Sequence, residues 1–424
     1  MTPISRADVE ARDAADPLRR FRDRFALPPG VVYLDGNSLG ALPVTTADRL
    51  DRLVRREWGD GLIRGWLDHG WIDRPPALGG RIARLIGAEP DEVLVAETTA
   101  INLFKVLAAA LDLNPGRATV LSDRQNFPTD LYMAQGLTVL LGDRCRLSLV
   151  DEDGVVDAID ADTAVVMLTE VNYRTGRRHD MAHVTRAAHD NGALVIWDLA
   201  HSAGAIPVDL NRPLGLDGRR GDGQGADFAV GCGYKYLNGG PGAPAFLFVA
   251  RRWQDRVRPV LSGWLGHEAP FDFAPDYRPA PGIRRMTCST PSVLATAALD
   301  CGVELMLEAD AAALREKSIA LGDLMIALVE RDCGSFGFAL AGPRDGRLRG
   351  SQVSFAHDHG YAIMQALIER GVIGDFRAPD LIRFGFAPLY NGYADIWDAV
   401  ATLRAVMDSR AWDRPDLKVR AAVT

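Results

Sequence analysis

The sequence predicts an α/β protein in which a mostly parallel sheet forms a large domain and a smaller α+β domain follows it. Three observations lead there. Short, unbroken apolar runs at residues 93–96, 118–122, 164–169, 193–197, 228–232 and 245–249 have the length and composition of strands buried on both faces. Helical patterns lie between several of them, at 100–111 and 181–190, the latter stopped by Asn191-Gly192. Repeated strand–helix–strand order requires crossover connections, which give parallel pairing with helices packed on the sheet. After about residue 261 the alternation ends. Beyond Pro291, two long helical stretches reach to about residue 331, followed by short strands at 351–356 and 381–385 and helices at 361–370 and 394–407. The expected division is an N-terminal arm contributing to the small domain (1–50), a large domain (51–290) and the α+β domain (291–424).

In the N-terminal part, residues 31–34 read as a short strand, and 45–58 as a helix that opens just after Pro43 and is closed by Gly59. Residues 217–227 read as a flexible surface insertion, because their glycines and charges offer a core nothing to bury. The 424 residues suffice for one or two large cores, and a charged fraction of 25% beside an apolar fraction of 47% excludes extensive disorder. A net charge of −8 offers no attraction to nucleic acid or anionic lipid. Five widely spaced cysteines without a CxxC pair indicate neither a disulfide frame nor a zinc site, which fits a reducing cytoplasm. No apolar run approaches the ~18 residues of a membrane span, and the first residues lack a signal-type apolar core. A cytoplasmic protein without a membrane anchor is expected.

In an open α/β sheet, ligands bind beyond the carboxyl ends of the strands, so polar residues that directly follow apolar runs are the candidates. Asp198 and His201 stand three apart where the run at 193–197 stops. A helix cap and a satisfied histidine fit the same pattern, and a metal pair lacks a third ligand. Lys235 lies between Tyr234 and Tyr236 in a glycine-rich turn. Most lysines are solvated surface charges, but one flanked by aromatic and apolar residues is partly desolvated, which favours the neutral amine that attacks aldehydes. The turn is not a nucleotide signature, since Gly231-x-Gly233 has no third glycine in register. The segment Glu97-Thr98-Thr99-Ala100-Ile-Asn102 places hydroxyls at a helix start, where free N–H groups suit a phosphate as well as an ordinary cap. Gln125-Asn126-Phe127-Pro128-Thr129-Asp130 reads as an irregular segment carrying an aromatic face and an acid, although a core phenylalanine and a turn aspartate would look the same. Together these make the set that pyridoxal phosphate requires: a phosphate anchor, a plate for the ring, an acid for the ring nitrogen and an amine for the aldehyde.

At these residues the chain resembles the kynureninase family, within fold type I (the aspartate-aminotransferase type) of the pyridoxal-phosphate enzymes. The likeness is an ordered set: Tyr33-Leu-Asp-Gly-Asn-Ser-Leu-Gly40, Asn102-Leu-Phe-Lys-Val-Leu107, Asn126-Phe-Pro-Thr-Asp130, Trp197-Asp-Leu-Ala-His-Ser-Ala-Gly204, Gly233-Tyr-Lys-Tyr-Leu-Asn-Gly-Gly240 and Arg383-Phe-Gly-Phe-Ala-Pro-Leu-Tyr-Asn391. It extends from about residue 27 to residue 407. The resemblance implies a seven-stranded type of sheet in a large cofactor-binding domain. It implies that Lys235 bonds the aldehyde of pyridoxal 5'-phosphate and, with Tyr234 and Asp198, carries the catalysis. Phe127 would stack on the ring, Thr99 and the Ala100 backbone would meet the phosphate, and Asp198 would pair with the ring nitrogen. Pro128, Thr129, Asp130, Thr169 and His201 would surround the ring, with Tyr234 on the phosphate. Trp264 and Thr290 correspond to positions that reach the cofactor from the neighbouring subunit, which implies a homodimer with shared sites. Arg383 corresponds to the arginine that clamps a substrate α-carboxylate, for which a planar two-pronged donor is suited. Asn37, Ser38 and Trp66 would line the substrate pocket, and no metal is implied. The chain departs from the family at Ala100, where relatives often carry a hydroxyl.

The implied reaction is hydrolytic Cβ–Cγ cleavage of L-kynurenine, 3-hydroxy-L-kynurenine or both, giving anthranilate or 3-hydroxyanthranilate and L-alanine, in tryptophan catabolism and NAD biosynthesis. Two rivals share the cofactor. One is a cysteine desulfurase or transaminase of the same fold, for which Cys288 is the only cysteine placed as a nucleophile. The other is a cofactor-binding regulator without catalysis, for which no helix-turn-helix or basic face is evident.

Overall fold

The computed structural model describes residues 4–421; residues 1–3 and 422–424, the ends of the expected arm and C-terminal domain, lie outside it. The chain packs as two compact units, one formed by Met1–Thr45, Tyr173–Arg178 and Glu308–Thr424, the other by Thr46–Asn172 and His179–Leu307. The helix Val293–Glu308 therefore packs with the second unit, where the sequence had placed it in the C-terminal domain. Gly302 explains the docking: a Cβ there would lie 2.0 Å from the Leu237 carbonyl oxygen, so the helix approaches the Lys235 loop backbone to backbone.

Chain order begins with β1 (Val32–Tyr33) in the first unit. The second unit then contributes β2 (Val93–Val95), β3 (Thr119–Asp123), β4 (Arg146–Val150), β5 (Thr163–Thr169), β6 (Leu194–Asp198), β7 (Phe228–Gly231) and β8 (Phe246–Val249). They form a seven-stranded sheet in the order β2-β8-β7-β6-β5-β3-β4, with β8 antiparallel to both neighbours and the other pairs parallel. β5, β6 and β7 are buried along their whole length, as their unbroken Val, Leu, Ile, Phe and Ala composition requires. Leu103, Val106, Leu107 and Ala110 of the helix Thr99–Leu113 close a core with Val120, Val165, Ile196, Phe228, Val230 and Leu247. Each buried aliphatic or aromatic side chain there contributes about 1.5–3 kcal/mol.

Two elements were not anticipated. β4 is an edge strand whose residues are all partly exposed, so it lacks the unbroken apolar signal of the inner strands. The helix Pro128–Leu141 begins inside the segment expected to be irregular. Its Phe127 cap offers no side-chain hydrogen bond and its apolar residues are spread around the helix, so neither cap nor period marks it. Proline at its first position is compatible with the start, because that N–H has no partner in any helix. The helix expected at 45–58 is regular over Thr45–Arg52 and continues in wider turns over Leu53–Asp60.

The expected insertion also needs correction. Residues 217–220 and 222–224 are exposed, but Asp227 is buried. Its carboxylate accepts from the Val195 N–H at 2.8 Å, Trp253 Nε1 at 2.6 Å and Arg252 Nη2 at 2.6 Å, and lies 2.8 Å from His189 Nε2. Burial pushes this acid upward, but the hydrogen bond from His189 and the Arg252 charge outweigh it, and the group sits below the ordinary carboxylate range.

In the first unit, β9 (Ala339–Leu340), β10 (Gln352–Ala356), β12 (Asp375–Arg377) and β13 (Leu381–Gly385) form an antiparallel sheet in the order β12-β13-β10-β9, while β11 (Val372–Ile373) pairs in parallel with β1. The helices Ala311–Cys333, Gly360–Ile368 and Tyr393–Asp408 supply Leu324, Leu328, Ile363, Leu367, Val400 and Leu403 to a core shared with Val353, Phe355, Ile382 and Phe384. Among the described residues, no helix is long and apolar enough to cross a membrane.

Asp227→Ala is expected to cost about 3 kcal/mol, since it removes a buried carboxylate and leaves the Val195 N–H, Trp253 and the partly buried His189 without their acceptor. A folded-state acid below its unfolded value stabilises above about pH 4 and loses that contribution as pH falls through its folded value. The drop in thermal midpoint should therefore be large at pH 7 and shrink below pH 4; a pH-independent drop would count against the ion-pair account.

Candidate active site

β3, β5, β6 and β7 are mutually parallel, so their carboxyl ends, at Asp123, Thr169, Asp198 and Gly231, fall on one edge of the sheet. β2 runs the same way, because β8 is antiparallel to both β2 and β7, and the helix Thr99–Leu113 therefore starts from the same edge. This topology brings candidates from five separate stretches of sequence to one side of the unit.

At its centre, Lys235 follows β7 through a tight turn. Gly233 has no room for a side chain: a Cβ would lie 2.4 Å from the Pro244 carbonyl oxygen. The turn is closed by Asn238 N–H donating to the Lys235 carbonyl at 2.9 Å and Gly239 N–H to the Gly233 carbonyl at 2.9 Å. Lys235 Nζ lies 3.0 Å from His201 Nε2, 5.9 Å from the centre of the Phe127 ring and 5.7 Å from that of Tyr234. The amine is half-buried and the histidine buried.

Nearby, two carboxyl groups are buried in contact. The Thr169 hydroxyl donates to Asn126 Oδ1 at 2.5 Å and lies 3.3 Å from Asp130 Oδ2 and 3.4 Å from Asp198 Oδ2. Asp198 also accepts from the Ala200 N–H at 2.9 Å. Burial, then the adjacent Asp198 carboxylate, holds Asp130 well above the ordinary carboxylate range. Burial raises Asp198 too, against the opposing pull of the Lys235 charge. Two acids in contact away from water favour a shared proton, leaving a single negative charge near the lysine. Asn126, which the sequence had not given a role, ties this pair to the aromatic segment: its Oδ1 accepts the Phe127 N–H at 2.7 Å and its Nδ2 donates to Ser122 Oγ at 3.0 Å. Phe127 keeps 39% of its surface exposed, and Pro128 and Thr129 form the next helical turn, leading to Asp130.

At the Thr99–Leu113 helix, Thr98 is the cap, its hydroxyl accepting from the Ile101 N–H at 3.4 Å, so Thr99 and Ala100 are the first helical residues. Their N–H groups have no partner within the helix. The chain reaches them through Glu97 in a left-handed conformation (φ +50°), secured by Asn102 Nδ2 donating to the Ala96 carbonyl at 2.7 Å and Ala245 N–H to the Glu97 carbonyl at 3.0 Å.

Three other candidates, Trp66, Trp264 and Thr290, belong to the second unit. Trp66 packs edge-on against Trp71, with ring centres 5.9 Å apart. Trp264 is partly exposed and packs edge-on against Phe271, and Thr290 is exposed. Cys288 is partly buried, its thiol 3.1 Å from the Leu261 carbonyl, and burial raises it, which disfavours a nucleophilic thiolate.

The first unit brings Arg383, Asn37 and Ser38 together. Arg383 is buried on β13; its Nε donates to Asp375 Oδ1 at 2.8 Å, its Nη2 to Asp375 Oδ2 and to Ser38 Oγ at 2.9 Å, and its Nη1 to the Tyr173 carbonyl. Arg377 adds a second guanidinium, with Nη2 2.8 Å from Asp375 Oδ2. Asp375 and Arg377 had escaped notice in the sequence. Their alternation on a short strand paired in register with Arg383 was the available signal.

Comparison with known proteins assigns the class. The likeness to cysteine desulfurases is one of fold: the apo cysteine desulfurase of Thermococcus onnurineus matches with a TM-score of 0.75 at 18% identity over 92% of this chain and 98% of that one. A cystine lyase variant described with glycine covalently linked to its pyridoxal-phosphate cofactor matches with a TM-score of 0.74 at 17% identity, over 90% of this chain and 98% of that one. The architecture is thus fold type I of the pyridoxal-phosphate enzymes. Residues 314–403 match the family model of the kynureninase C-terminal domain. Kynureninase of Burkholderia mallei is 51% identical, and that of Pseudomonas fluorescens 50%, each over 99% of this chain and the whole relative. The chain belongs to the kynureninase family.

An acid whose folded value is raised loses stabilising effect as pH climbs from its unfolded value toward its folded one. Asp130→Asn, which removes that penalty, should raise the thermal midpoint of the cofactor-free protein at pH 8 and change it less at pH 5. A lower midpoint at pH 8 would show that the carboxyl is held ionised.

Proposed function

We propose that the protein hydrolyses the Cβ–Cγ bond of L-kynurenine, 3-hydroxy-L-kynurenine or both, releasing anthranilate or 3-hydroxyanthranilate and L-alanine, with pyridoxal 5'-phosphate bound at Lys235. The observation that carries the proposal is Lys235 Nζ set 3.0 Å from His201 and in electrostatic reach of the buried Asp130–Asp198 pair, in a chain about half identical to kynureninases over its whole length.

The donor set fits the cofactor. A buried, charge-balanced acid suits a pyridinium nitrogen, the exposed Phe127 ring suits a stacked heterocycle, and unpartnered N–H groups at Thr99 and Ala100 suit a phosphate. Since a backbone N–H serves there, Ala100 needs no hydroxyl. When bound, pyridoxal phosphate supplies an electron sink for bonds broken at the substrate's α- and β-carbons. Asp198 keeps the ring nitrogen protonated, and Asp130, Thr169 and His201 hold the surrounding hydrogen bonds. Pro128 and Thr129 fix the height of the Phe127 plate. The Lys235 amine would take the Cα proton, and Tyr234 would hand a proton to the β-carbon of the alanine fragment.

Arg383 would hold the α-carboxylate, with Asn37 and Ser38 at its side and Trp66 toward the aromatic end of the substrate. Trp264 and Thr290, both solvent-accessible in the single chain, would complete the site of a second copy in a homodimer. Such an enzyme would work in the cytoplasm, in tryptophan catabolism and NAD biosynthesis.

Purified protein given L-kynurenine should produce fluorescent anthranilate, with activity rising when pyridoxal phosphate is added. No anthranilate under either condition would defeat the proposal. Lys235→Ala should reduce turnover by at least about 10³-fold, the loss of nucleophile and base together; near-normal turnover in that variant would remove Lys235 from the mechanism.

A further inference from the structure

Arg383 does not stand alone but in a network of charges, and one member of it has no role so far. Asp375 joins Arg383 and Arg377. Ser38 Oγ donates to Asp375 Oδ2 at 2.7 Å and accepts from Arg377 Nη2 at 3.2 Å. The Asn37 amide links the network to a second acid: its oxygen accepts from Arg383 Nε at 2.8 Å and Nη2 at 3.1 Å, and its NH2 donates to Asp35 Oδ1 at 3.3 Å. Asp35 is only partly buried, so protons from solvent reach it.

We propose that Asp35 sets how strongly this cluster holds the substrate carboxylate, because its proton decides whether the cluster carries a spare positive charge. The inference rests on the assignment of Arg383 to that carboxylate. With Asp35 neutral, two guanidinium groups face one carboxylate, and an incoming anion completes the balance. With Asp35 ionised, the two acids already neutralise the two arginines, and a third carboxylate finds no spare positive charge.

The groups around Asp35 keep this count simple. Arg383 and Arg377 stay cationic across the accessible range. Asp375 lies below the ordinary carboxylate range, the Arg383 charge and hydrogen bonds outweighing its burial, so it stays ionised. Tyr33, on β1, is raised by burial and by Asp35 and Asp375, so it stays neutral; its hydroxyl donates to the Leu39 carbonyl at 2.7 Å. Tyr173 lies in electrostatic reach of Arg377 and gives its carbonyl to Arg383. Burial, then the Asp375 charge, pushes Asp35 up to about 7, so it is the member that titrates near neutrality. The sign follows from linkage: an anion that binds better to the protonated cluster binds less well as pH rises through that value.

The test measures binding of 4-oxo-4-phenylbutanoate, a carboxylate with the kynurenine frame but no amine, to the holoenzyme by calorimetry between pH 6 and 8.5. In the wild type, Kd should rise by about tenfold across that interval, the effect of about one unit of linked protonation. In Asp35→Asn it should stay low and flat. A merely structural role would instead weaken binding equally at every pH. A pH-independent Kd in the wild type overturns the inference whether or not the variant folds, and so does an unchanged rise in Asp35→Asn. Arg383→Met separates the two layers: if it binds the probe as tightly as the wild type, the carboxylate is not at Arg383 and both fall. If it loses the probe while the wild-type Kd is flat, only the role of Asp35 falls. Conversion of L-kynurenine, measured independently, decides the activity alone.

Discussion

Two carboxyl groups buried against each other, Asp130 and Asp198, place the strictest demand on the second unit. Removing even one ionised carboxylate from water costs several kcal/mol after relaxation, and two in contact add their mutual repulsion. The chain offsets this with the Thr169 hydroxyl, the Ala200 N–H, the Lys235 charge and a proton shared between the acids. These contributors come from the ends of β5 and β6, the first turn of Pro128–Leu141 and the loop after β7. A slip of one residue in any of the three strands would turn its donor to the opposite face and leave a charge buried without compensation. Sheet register and site chemistry are therefore a single requirement.

The first unit meets a comparable demand differently. Arg383 is as buried as Asp198, but a guanidinium cannot discard its charge, so Asp375 must stay ionised beside it. Fixed charges leave adjustment to the periphery, where Asp35 and Arg377 retain access to water. The two clusters thus differ in what can move. In one a proton is shared between two fully buried acids, and in the other it rests on a partly buried one.

The shared architecture also limits what fold likeness can say. A desulfurase at 18% identity matches over 92% of this chain, because one fold can carry many different chemistries. The distinction lies in side chains. Cys288 is tied to the Leu261 carbonyl with its thiol raised, whereas the chain as a whole is about half identical to kynureninases.

By itself the sequence determined what local pattern can encode. Unbroken apolar runs announced the inner strands β5, β6 and β7, and the positions just past them announced Asp198 and Lys235. Where the pattern was weak it misled: β4 is half-exposed, Pro128–Leu141 lacks a polar cap, and Asp227 looked like part of a charged loop although its neighbours in space are His189, Arg252 and Trp253. Only the tertiary structure decided that Asp130 meets Asp198, that Asn126 joins them to Phe127, and that Asp375 holds Arg383 while Asn37 links it to Asp35. The reason is physical: whether an acid is a solvated turn residue or a buried partner depends on charges tens to hundreds of residues away, and no local periodicity records their arrival.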